Sequence, residues 1–575
     1  MNGGSFLIQD QVPGEVFTPE DISAEHQAIA RTAREFFDHE VAPHVEEIQH
    51  GNHDLAVAAL RKAASLGLES VLTPERYGGM EMDLTSVMIV AEQLARDGSF
   101  AAWHGAHAGI GTLPILLFGT EAQKQKYLPK LSSAEFIGAY CLSEPQAGSD
   151  ALAAKTRADL SADGTHYVLN GQKMWITNGG RADLFTVFAK VGGEQFTAFL
   201  VERAFAGVSS GAEEKKMGIK GSSTTPVFFD NVVVPVENLL GEIGRGHIIA
   251  FNILNIGRLK LGPFALGGAK NVLADSLAYA KDRKAFGTTI SHFGLIQHKL
   301  AEMAIRIYAT ESMTYRVDGL IAGEMKGFSW DEPDAARRMM KSFEEYAAEC
   351  SIIKVYASEM LDYVVDEGVQ IHGGYGFHQD YAVERAYRDS RINRIFEGTS
   401  EINRLLITGM LLKRAQQGRL GLVKAAKGLM EEILSGPAVA PEGEREEQRL
   451  VHNAKKITLL LLAQAFEKFG TEMEKQQEVL GGIADVVMEA FAMESSLLRS
   501  EKNKSGGDIC AVLIRDSMGR TEMLARPVLA ACAEGDALRG NMAVLRRFAK
   551  FEPVNSIALR RGIADRLLSA GRYVV

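Results

Sequence analysis

The hydrophobic pattern of the chain changes its period twice, and this change limits the possible folds more than any other feature of the sequence. Between residues 136 and 241, short apolar or alternating runs such as THYVLNG and LFTVFAKV are separated by Gly, Asn and Asp, as in strands joined by turns. On both sides of this block, apolar residues recur at spacings of three and four, which is typical of helices. The sequence therefore predicts a β domain between two helical regions.

The length of 575 residues exceeds what one hydrophobic core usually holds, so we expect several domains. The stretch SGPAVAPEGEREEQ combines Pro, Gly and charge, which indicates an exposed linker followed by a separate helical unit. The predicted fold class is α+β, mainly α. The predicted domains are a helical N-terminal domain at 1–135, a middle β domain at 136–245, a helical bundle at 246–434, a linker at 435–448 and a helical extension at 449–575.

The predicted extension carries two apolar features. Leu459 to Leu462 form a dense apolar patch, and a helical stripe runs from Leu480 to Leu498. We interpret the extension mainly as a helical domain packed on the bundle. Peripheral binding to a membrane surface through these residues is the alternative.

Composition excludes several classes of function. Lys and Arg total 63 against 73 Asp and Glu, and the net charge of −10 gives no broad basic surface for nucleic acid. The four cysteines are scattered, which argues against a disulfide framework and for a reducing compartment. The N-terminus lacks a targeting pattern, and the most apolar run, Ile457 to Phe466, is too short to span a bilayer. We expect a cytoplasmic protein.

Common nucleotide and metal motifs are missing from the sequence. Neither G-x-G-x-x-G nor a Walker A sequence occurs, so a cofactor that contains a nucleotide must be held in another way. His39 and His44 are five residues apart with Pro43 between them, which does not fit a helical zinc site. We predict no metal site.

Three segments carry the residue types of a cofactor and substrate site. The first is CLSEPQAGSD at 141–150 with KMWITNG at 173–179, where small residues, hydroxyls and Trp175 fit a flavin ring; turns at strand ends are the alternative. The second, QIHGGYGFHQD at 370–380, offers backbone amides to an anion, unless it is only a helix C-cap. The third is RINRIFEGTSE at 391–401, in which Glu397 is either a base or a carboxylate at a helix N-terminus.

With these segments the chain resembles the acyl-CoA dehydrogenase family. S-E-P-x-A-G-S-D, W-I-T-N-G, R-x-x-F-G at 283–287, Q-x-x-G-G-x-G-F and F-E-G-T occur in the order found in the family. The stretch EKKMGIKGSSTTP, the Phe before Glu397 and the long extension resemble the very-long-chain branch, which also contains a complex I assembly factor. The resemblance covers about residues 20 to 415.

The resemblance implies a helical N-terminal domain, a middle β-barrel or sandwich domain and a C-terminal four-helix bundle, with FAD between the subunits of a homo-oligomer, a dimer being favoured. It implies desaturation of a long-chain fatty acyl-CoA at the α and β carbons, as in fatty acid β-oxidation. Glu397 would accept the α proton, flavin N5 would accept the hydride, and electron-transferring flavoprotein would be the acceptor. Gly257 offers no competing carboxylate where some relatives place their base.

The resemblance also implies the remaining site residues. Ser149, Asn255, Arg258 and Gly398 would contact the substrate, and Thr177 would lie near flavin N5. The residues implied to hold FAD are Leu142, Ser143, Gly148, Ser149, Trp175, Ile176, Thr177, Arg283, Phe286, Gln297, Gln370, Gly373, Gly374, Thr399 and Glu401.

Two other functions stay open. A scaffold or assembly protein on the same fold would not need Glu397, and an acyl-CoA oxidase would pass electrons to oxygen.

Overall fold

The computed structural model describes residues 2–435 and 443–575. The N-terminal region is helical because each segment buries one apolar face, as α1 does with Ile29, Ala33 and Phe36. A π-helix at Gly105–Gly111 continues α5, and it lines the cavity described in the next section. The helices are α1 (Ala24–Phe36), α2 (Val45–Gln49), α3 (His53–Ser65), α4 (Leu84–Leu94), α5 (Gly98–His104), α6 (Leu113–Phe118) and α7 (Glu121–Ser132).

The middle region forms one eight-stranded sheet. The strands are β1 (Gly138–Cys141), β2 (Arg157–Leu160), β3 (His166–Thr177), β4 (Leu184–Val191), β5 (Gln195–Glu202), β6 (Val208–Ser210), β7 (Thr224–Pro235) and β8 (Leu239–Leu240). Their order is β6-β7-β3-β2-β4-β5-β8, and β1 pairs in parallel with β4. The sheet has its own core, with Phe185, Phe199 and Val227 at its centre. The predicted middle β domain is confirmed.

The region after the sheet is helical again. α8 (Gly246–Asp282) and α9 (Gly294–Glu324) are joined through a hairpin of β9 (Lys284–Ala285) and β10 (Thr288–Thr289). Then follow α10 (Ala335–Glu345), α11 (Ala347–His372), α12 (Ala382–Ser390), α13 (Ser400–Gln416) and α14 (Leu422–Ser435). α8, α9, α11 and α13 pack side by side, which confirms the predicted bundle.

The extension consists of α15 (Glu446–Phe469), α16 (Gln477–Asn503), α17 (Gly507–Cys532), α18 (Gly535–Ala549) and α19 (Ser556–Ala570). α16 packs on α9 and α13, and α19 packs on α9, so the interpretation as a domain packed on the bundle is confirmed. Of the predicted linker, residues 436–442 lie outside the described residues. Within the described residues, no helix combines the length and apolar character needed to cross a bilayer.

The apolar features that suggested membrane binding are not on the surface. Leu459 to Leu462 are at most 7% exposed, and Leu480, Ile483, Val487 and Phe491 of the stripe are buried as well. These residues therefore offer no apolar surface for membrane binding in this structure. A dense apolar run looks the same in sequence whether other helices or a membrane cover it. Here the run lies on α15, which packs against α16, α17 and α18 of the extension, against α14 and against the N-terminal segment Ser5–Leu7.

Candidate functional site

Glu397 lies in a short loop rather than in a helix. α12 ends at Ser390, a single turn follows, and Thr399 caps α13 by accepting a hydrogen bond from the Ile402 amide. Glu397 has a φ of 58°, and Gly398 a φ of 86°. Positive φ is strained for a glutamate and occurs mainly where function requires it. Glu401, not Glu397, occupies the first turn of the helix.

The main chain of this loop is held by two buried side chains. The Arg258 Nε donates to the carbonyl oxygen of Glu397 at 3.1 Å, and its Nη1 donates to Asn255 Oδ1 at 3.0 Å. Asn403 Nδ2 donates to the carbonyl oxygens of Glu397, Gly398 and Thr399 at 3.4, 2.8 and 3.1 Å. These bonds fix the direction in which the Glu397 side chain leaves the backbone.

The carboxylate of Glu397 packs against the backbone of α8. A Cβ atom at Gly257 would lie 2.7 Å from Glu397 Oε2, so only glycine leaves room for the carboxylate. Oε2 is buried and has no hydrogen-bond partner. Burial raises the pKa of Glu397 to about 7, although Arg258, Lys354 and Lys260 act to lower it.

A cavity of about 170 Å³ opens in front of this carboxylate. Its walls are mainly apolar and come from α5, the π-helix, α8 and α11, with Ile256, Leu261 and Phe264 among the lining residues. Thr177, the last residue of β3, lines the same cavity as Glu397. This is the arrangement expected if the two residues face one reaction centre. Thr177 and Glu397 are the two predicted site residues among the lining residues.

The two halves of the first predicted segment come together. Met174 N donates to Ser143 O at 3.0 Å, and Lys173 Nζ bonds Leu142 O at 3.2 Å. Lys173 also forms a fully buried ion pair with Glu144 at 2.8 Å. Leu142 and Ser143 therefore lie beside the strand that carries Trp175, Ile176 and Thr177, while Gly148 and Ser149 lie in the exposed turn that follows.

Two aromatic side chains of the predicted site are exposed and strained. Trp175 stands in a bulge of β3 with a φ of 57° and is 59% exposed. Phe286 forms the β9–β10 turn with a φ of 53° and is 96% exposed. Large aromatic rings held in the open at strained positions indicate surfaces that another group covers.

The other predicted cofactor residues form a second, exposed cluster at the ends of α8 and α11. The Arg283 guanidinium lies 5.6 Å from the ring centre of Tyr375, and Gln297 is near the start of α9. Gly373 is the C-cap of α11 with a φ of 61°, a position that is compatible with either interpretation of this segment. A Cβ at Gly148, Gly373 or Gly374 would meet no atom within 4 Å, so the backbone there is open to a ligand. Gln370 is exposed on the last turn of the same helix.

These residues fit FAD. Thr177 beside the cavity, the exposed Trp175 and the open glycine backbone supply a hydroxyl, an aromatic wall and backbone donors.

Four residues around Glu397 were missed from sequence. Tyr140 of β1 is buried with no partner for its hydroxyl, and its pKa is raised well above the ordinary value by burial and by Glu397. Asn403 holds the loop, and Lys260 and Lys354 interact electrostatically with Glu397. The available signal was a polar residue at an apolar position in each of four secondary-structure elements, but the sequence pattern does not show which of these residues share a site.

Comparison with known proteins agrees with this arrangement. Models of the acyl-CoA dehydrogenase N-terminal, middle and C-terminal domains match residues 23–135, 139–232 and 244–412, and a second C-terminal domain model matches 453–547. A probable acyl-CoA dehydrogenase of Bacillus subtilis is 48% identical, covering 100% of this chain and 98% of the relative. The rat mitochondrial very long-chain specific acyl-CoA dehydrogenase is 38% identical, covering 78% of this chain and 70% of that protein.

A solved structure gives the same result. An acyl-CoA dehydrogenase from Bacillus anthracis, complexed with FAD, aligns with a TM-score of 0.97 at 48% identity over 100% of both chains. The chain belongs to the acyl-CoA dehydrogenase family, a family of FAD-dependent oxidoreductases.

Proposed function

We propose that this chain binds FAD and oxidises long-chain fatty acyl-CoA to trans-2-enoyl-CoA, with Glu397 as the base that removes the α proton. The observation that carries the proposal is the Glu397 carboxylate, which has no hydrogen-bond partner for Oε2 and lines the same apolar cavity as Thr177. A base must be free to accept a proton, and this carboxylate is free.

The chain's own residues prepare this base. Burial raises the pKa of Glu397 to about 7, which makes it a far stronger base than an exposed glutamate and leaves much of it ionised near neutral pH. Arg258 and Asn403 hold the backbone, and Gly257 leaves room for the carboxylate. When bound, FAD would accept the β hydrogen as hydride.

We propose that Leu142, Ser143, Trp175, Ile176 and Thr177 line the flavin ring, since they share one end of β3. The second cluster, with Arg283, Phe286, Gln297, Gln370, Gly373 and Gly374, would hold the FAD of a partner subunit, with Thr399 and Glu401 nearby. Phe286 is 96% and Phe377 is 86% exposed, and a second copy of the chain would cover both rings. A homodimer follows from this proposal.

Substrate contacts are proposed at the mouth of the cavity. Arg258, Asn255 and Gly398 surround the Glu397 backbone, and Ser149 lies in the exposed turn beside β3. In the free protein the Arg258 guanidinium is committed to Glu397 and Asn255, so its main contribution there is to place the base.

The span of the cavity lining along α8 is long enough for a long acyl chain, and its far end, at Asn271 and Asp275, is polar. Lining residues on α8 run from Ile253 to Asp275, and Gly257 marks the level of Glu397. Eighteen residues separate Gly257 from Asp275, which corresponds to about 27 Å of helix. A saturated chain of sixteen carbons extends roughly 19 Å, given bonds of about 1.5 Å.

Electron-transferring flavoprotein is the proposed electron acceptor. The scaffold alternative is disfavoured because a scaffold has no use for a strained, unpaired glutamate that faces a cavity.

Anaerobic titration with acyl-CoAs of increasing length tests the proposal. We expect the flavin absorbance of FAD-loaded protein to bleach with palmitoyl-CoA and much less with butyryl-CoA. Bleaching by no acyl-CoA would favour the scaffold function. In air, fast release of peroxide during turnover would favour an oxidase, whereas electron transfer only to electron-transferring flavoprotein would support the dehydrogenase.

A further inference from the structure

Three buried charged groups around the reaction centre lack partners. Oε2 of Glu397 accepts no hydrogen bond. Lys354 on α11 is fully buried, and its Nζ has no partner either. Lys260 on α8 lines the cavity, is 5% exposed, and forms no hydrogen bond or ion pair with any residue in 2–435 or 443–575; its Nζ lies 5.8 Å from the ring centre of Phe264.

Unpaired buried charges are rare because each loses its hydration without compensation. One such group can be accidental. Two ammonium groups and one carboxylate without partners around a single centre indicate an arrangement maintained for function.

The two lysines approach Glu397 from two different helices. Lys260 follows Gly257 by three residues, so both lie on the same face of α8, and Gly257 touches the Glu397 carboxylate. Lys354 follows Cys350 by four residues on α11, and both interact electrostatically with Arg258. Lys354 therefore lies on the face of α11 directed towards the Glu397 loop.

We propose that Lys260 and Lys354 are positioning residues that act through space on Glu397 and hold its carboxylate in the form that accepts a proton. This inference rests on the proposed role of Glu397 as the base. Arg258 also lowers the pKa of Glu397 through space, but its Nε and Nη1 in addition hold the Glu397 carbonyl and Asn255. The lysines have no competing bonds.

Other titratable groups also face these charges. Tyr140 faces Glu397 from β1, and burial keeps its hydroxyl neutral by raising its pKa. Glu69, which is bound to His104 at 2.9 Å, faces Lys260. Burial lowers the pKa of both lysines to about 8, so they remain cationic over the range in which Glu397 titrates.

Cys350 faces Arg258, and Glu359 and Glu401 face Lys354.

The test is the pH dependence of flavin reduction by palmitoyl-CoA, measured anaerobically by stopped flow with FAD-loaded protein. Lys260→Met and Lys354→Met should each move the midpoint of the rate profile to higher pH by about one unit, because each removes a cation near the carboxylate. The rates should converge with wild type at high pH, where the lysines lose their charge. Lys260→Arg should keep the wild-type midpoint.

Unchanged midpoints in both Met variants would overturn the inference. Exposed Lys62→Met is the matched control and should leave the profile unchanged. Flavin content and thermal melting report folding, and Lys354→Gln replaces Lys354→Met if the latter does not fold. Glu397→Gln distinguishes failure of the proposed base from failure of the lysine role. If flavin reduction in Glu397→Gln is as fast as in wild type, the proposed base is refuted. If Glu397→Gln is inert but the lysine variants keep the wild-type midpoint, only the lysine role is refuted.

Discussion

Two groups of buried charges in this molecule follow opposite rules. Where the extension meets the bundle, Glu311 lies between Lys270 and Arg499, and Arg499 also binds Glu20 at 2.6 Å. At the candidate active site, Glu397 Oε2 and Lys354 Nζ have no hydrogen-bond partner among the described residues, and Lys260 Nζ lies 5.8 Å from the ring centre of Phe264. Burial acts on both glutamates, but Lys270 and Arg499 lower the pKa of Glu311, whereas the pKa of Glu397 is raised to about 7. A buried charged side chain with an ion-pair partner stabilises the fold, whereas one without a partner can take part in chemistry.

The largest expected effect comes from breaking the paired group. Arg499→Met leaves Glu311 and Glu20 without their shared cation, and we expect a loss of about 3–5 kcal/mol in the free energy of unfolding. Urea denaturation measures it. Arg539→Met, which removes an arginine from an exposed pair on α18, should cost less than about 1 kcal/mol. If both variants lost the same free energy of unfolding, the buried ion pairs would stabilise the fold no more than the exposed pair does.

Gly257→Ala tests the contact between α8 and the unpaired carboxylate. The added methyl group would lie 2.7 Å from Glu397 Oε2 and must displace it. We expect flavin reduction to slow by about 100-fold, or about 2.7 kcal/mol, with FAD still bound. Gly409→Ala on α13 adds the same group where no atom lies within 4 Å and should leave the rate unchanged. A normal rate in Gly257→Ala would contradict the geometry.

The raised pKa of Glu397 predicts a pH-dependent stability difference. Between about pH 4.5 and 7 the folded protein holds a proton on Glu397 that the unfolded chain has released, so rising pH costs stability there. Glu397→Gln lacks this group and should be more stable than wild type by about 3 kcal/mol at pH 8. The gap should close as the pH falls towards 4.5. Exposed Glu194→Gln should show no such gap, and a constant gap for Glu397→Gln would refute the assignment.

The smallest effect has the opposite sign to that of Arg499→Met. Lys354→Met removes a buried ammonium without a partner, and at pH 6, where Glu397 is largely protonated, we expect a gain of about 1 kcal/mol. Thermal melting of the two variants side by side compares the groups directly. A loss of stability in Lys354→Met would mean that Lys354 is paired after all.

The order of domains could be predicted because the two hydrophobic periods are local properties of the sequence. The strands from Gly138 to Leu240 and the flanking helices follow this pattern. The burial of Leu459 to Leu462 could not be predicted, because it depends on how α15 packs against other helices, chiefly α16 and α17, and a local pattern does not specify that packing.

For the candidate site as well, the residues in local motifs could be predicted and the residues brought together by packing could not. Glu397, Thr177 and the glycine turns stand in local motifs, so the sequence identified them, and the structure brings Thr177 and Glu397 to one cavity. Lys260, Lys354 and Asn403 lie on three helices and carry no motif. Only the packing of α8, α11 and α13 reveals that they surround one carboxylate.

The central claim is that the unpaired Glu397 carboxylate is the base. Its most direct test is anaerobic stopped-flow mixing of palmitoyl-CoA with FAD-loaded wild type and Glu397→Gln. We predict rapid bleaching of the wild-type flavin and bleaching slowed by at least about 10³-fold in the variant, with FAD content and fold retained. Bleaching of the variant at a rate near that of wild type would contradict the claim.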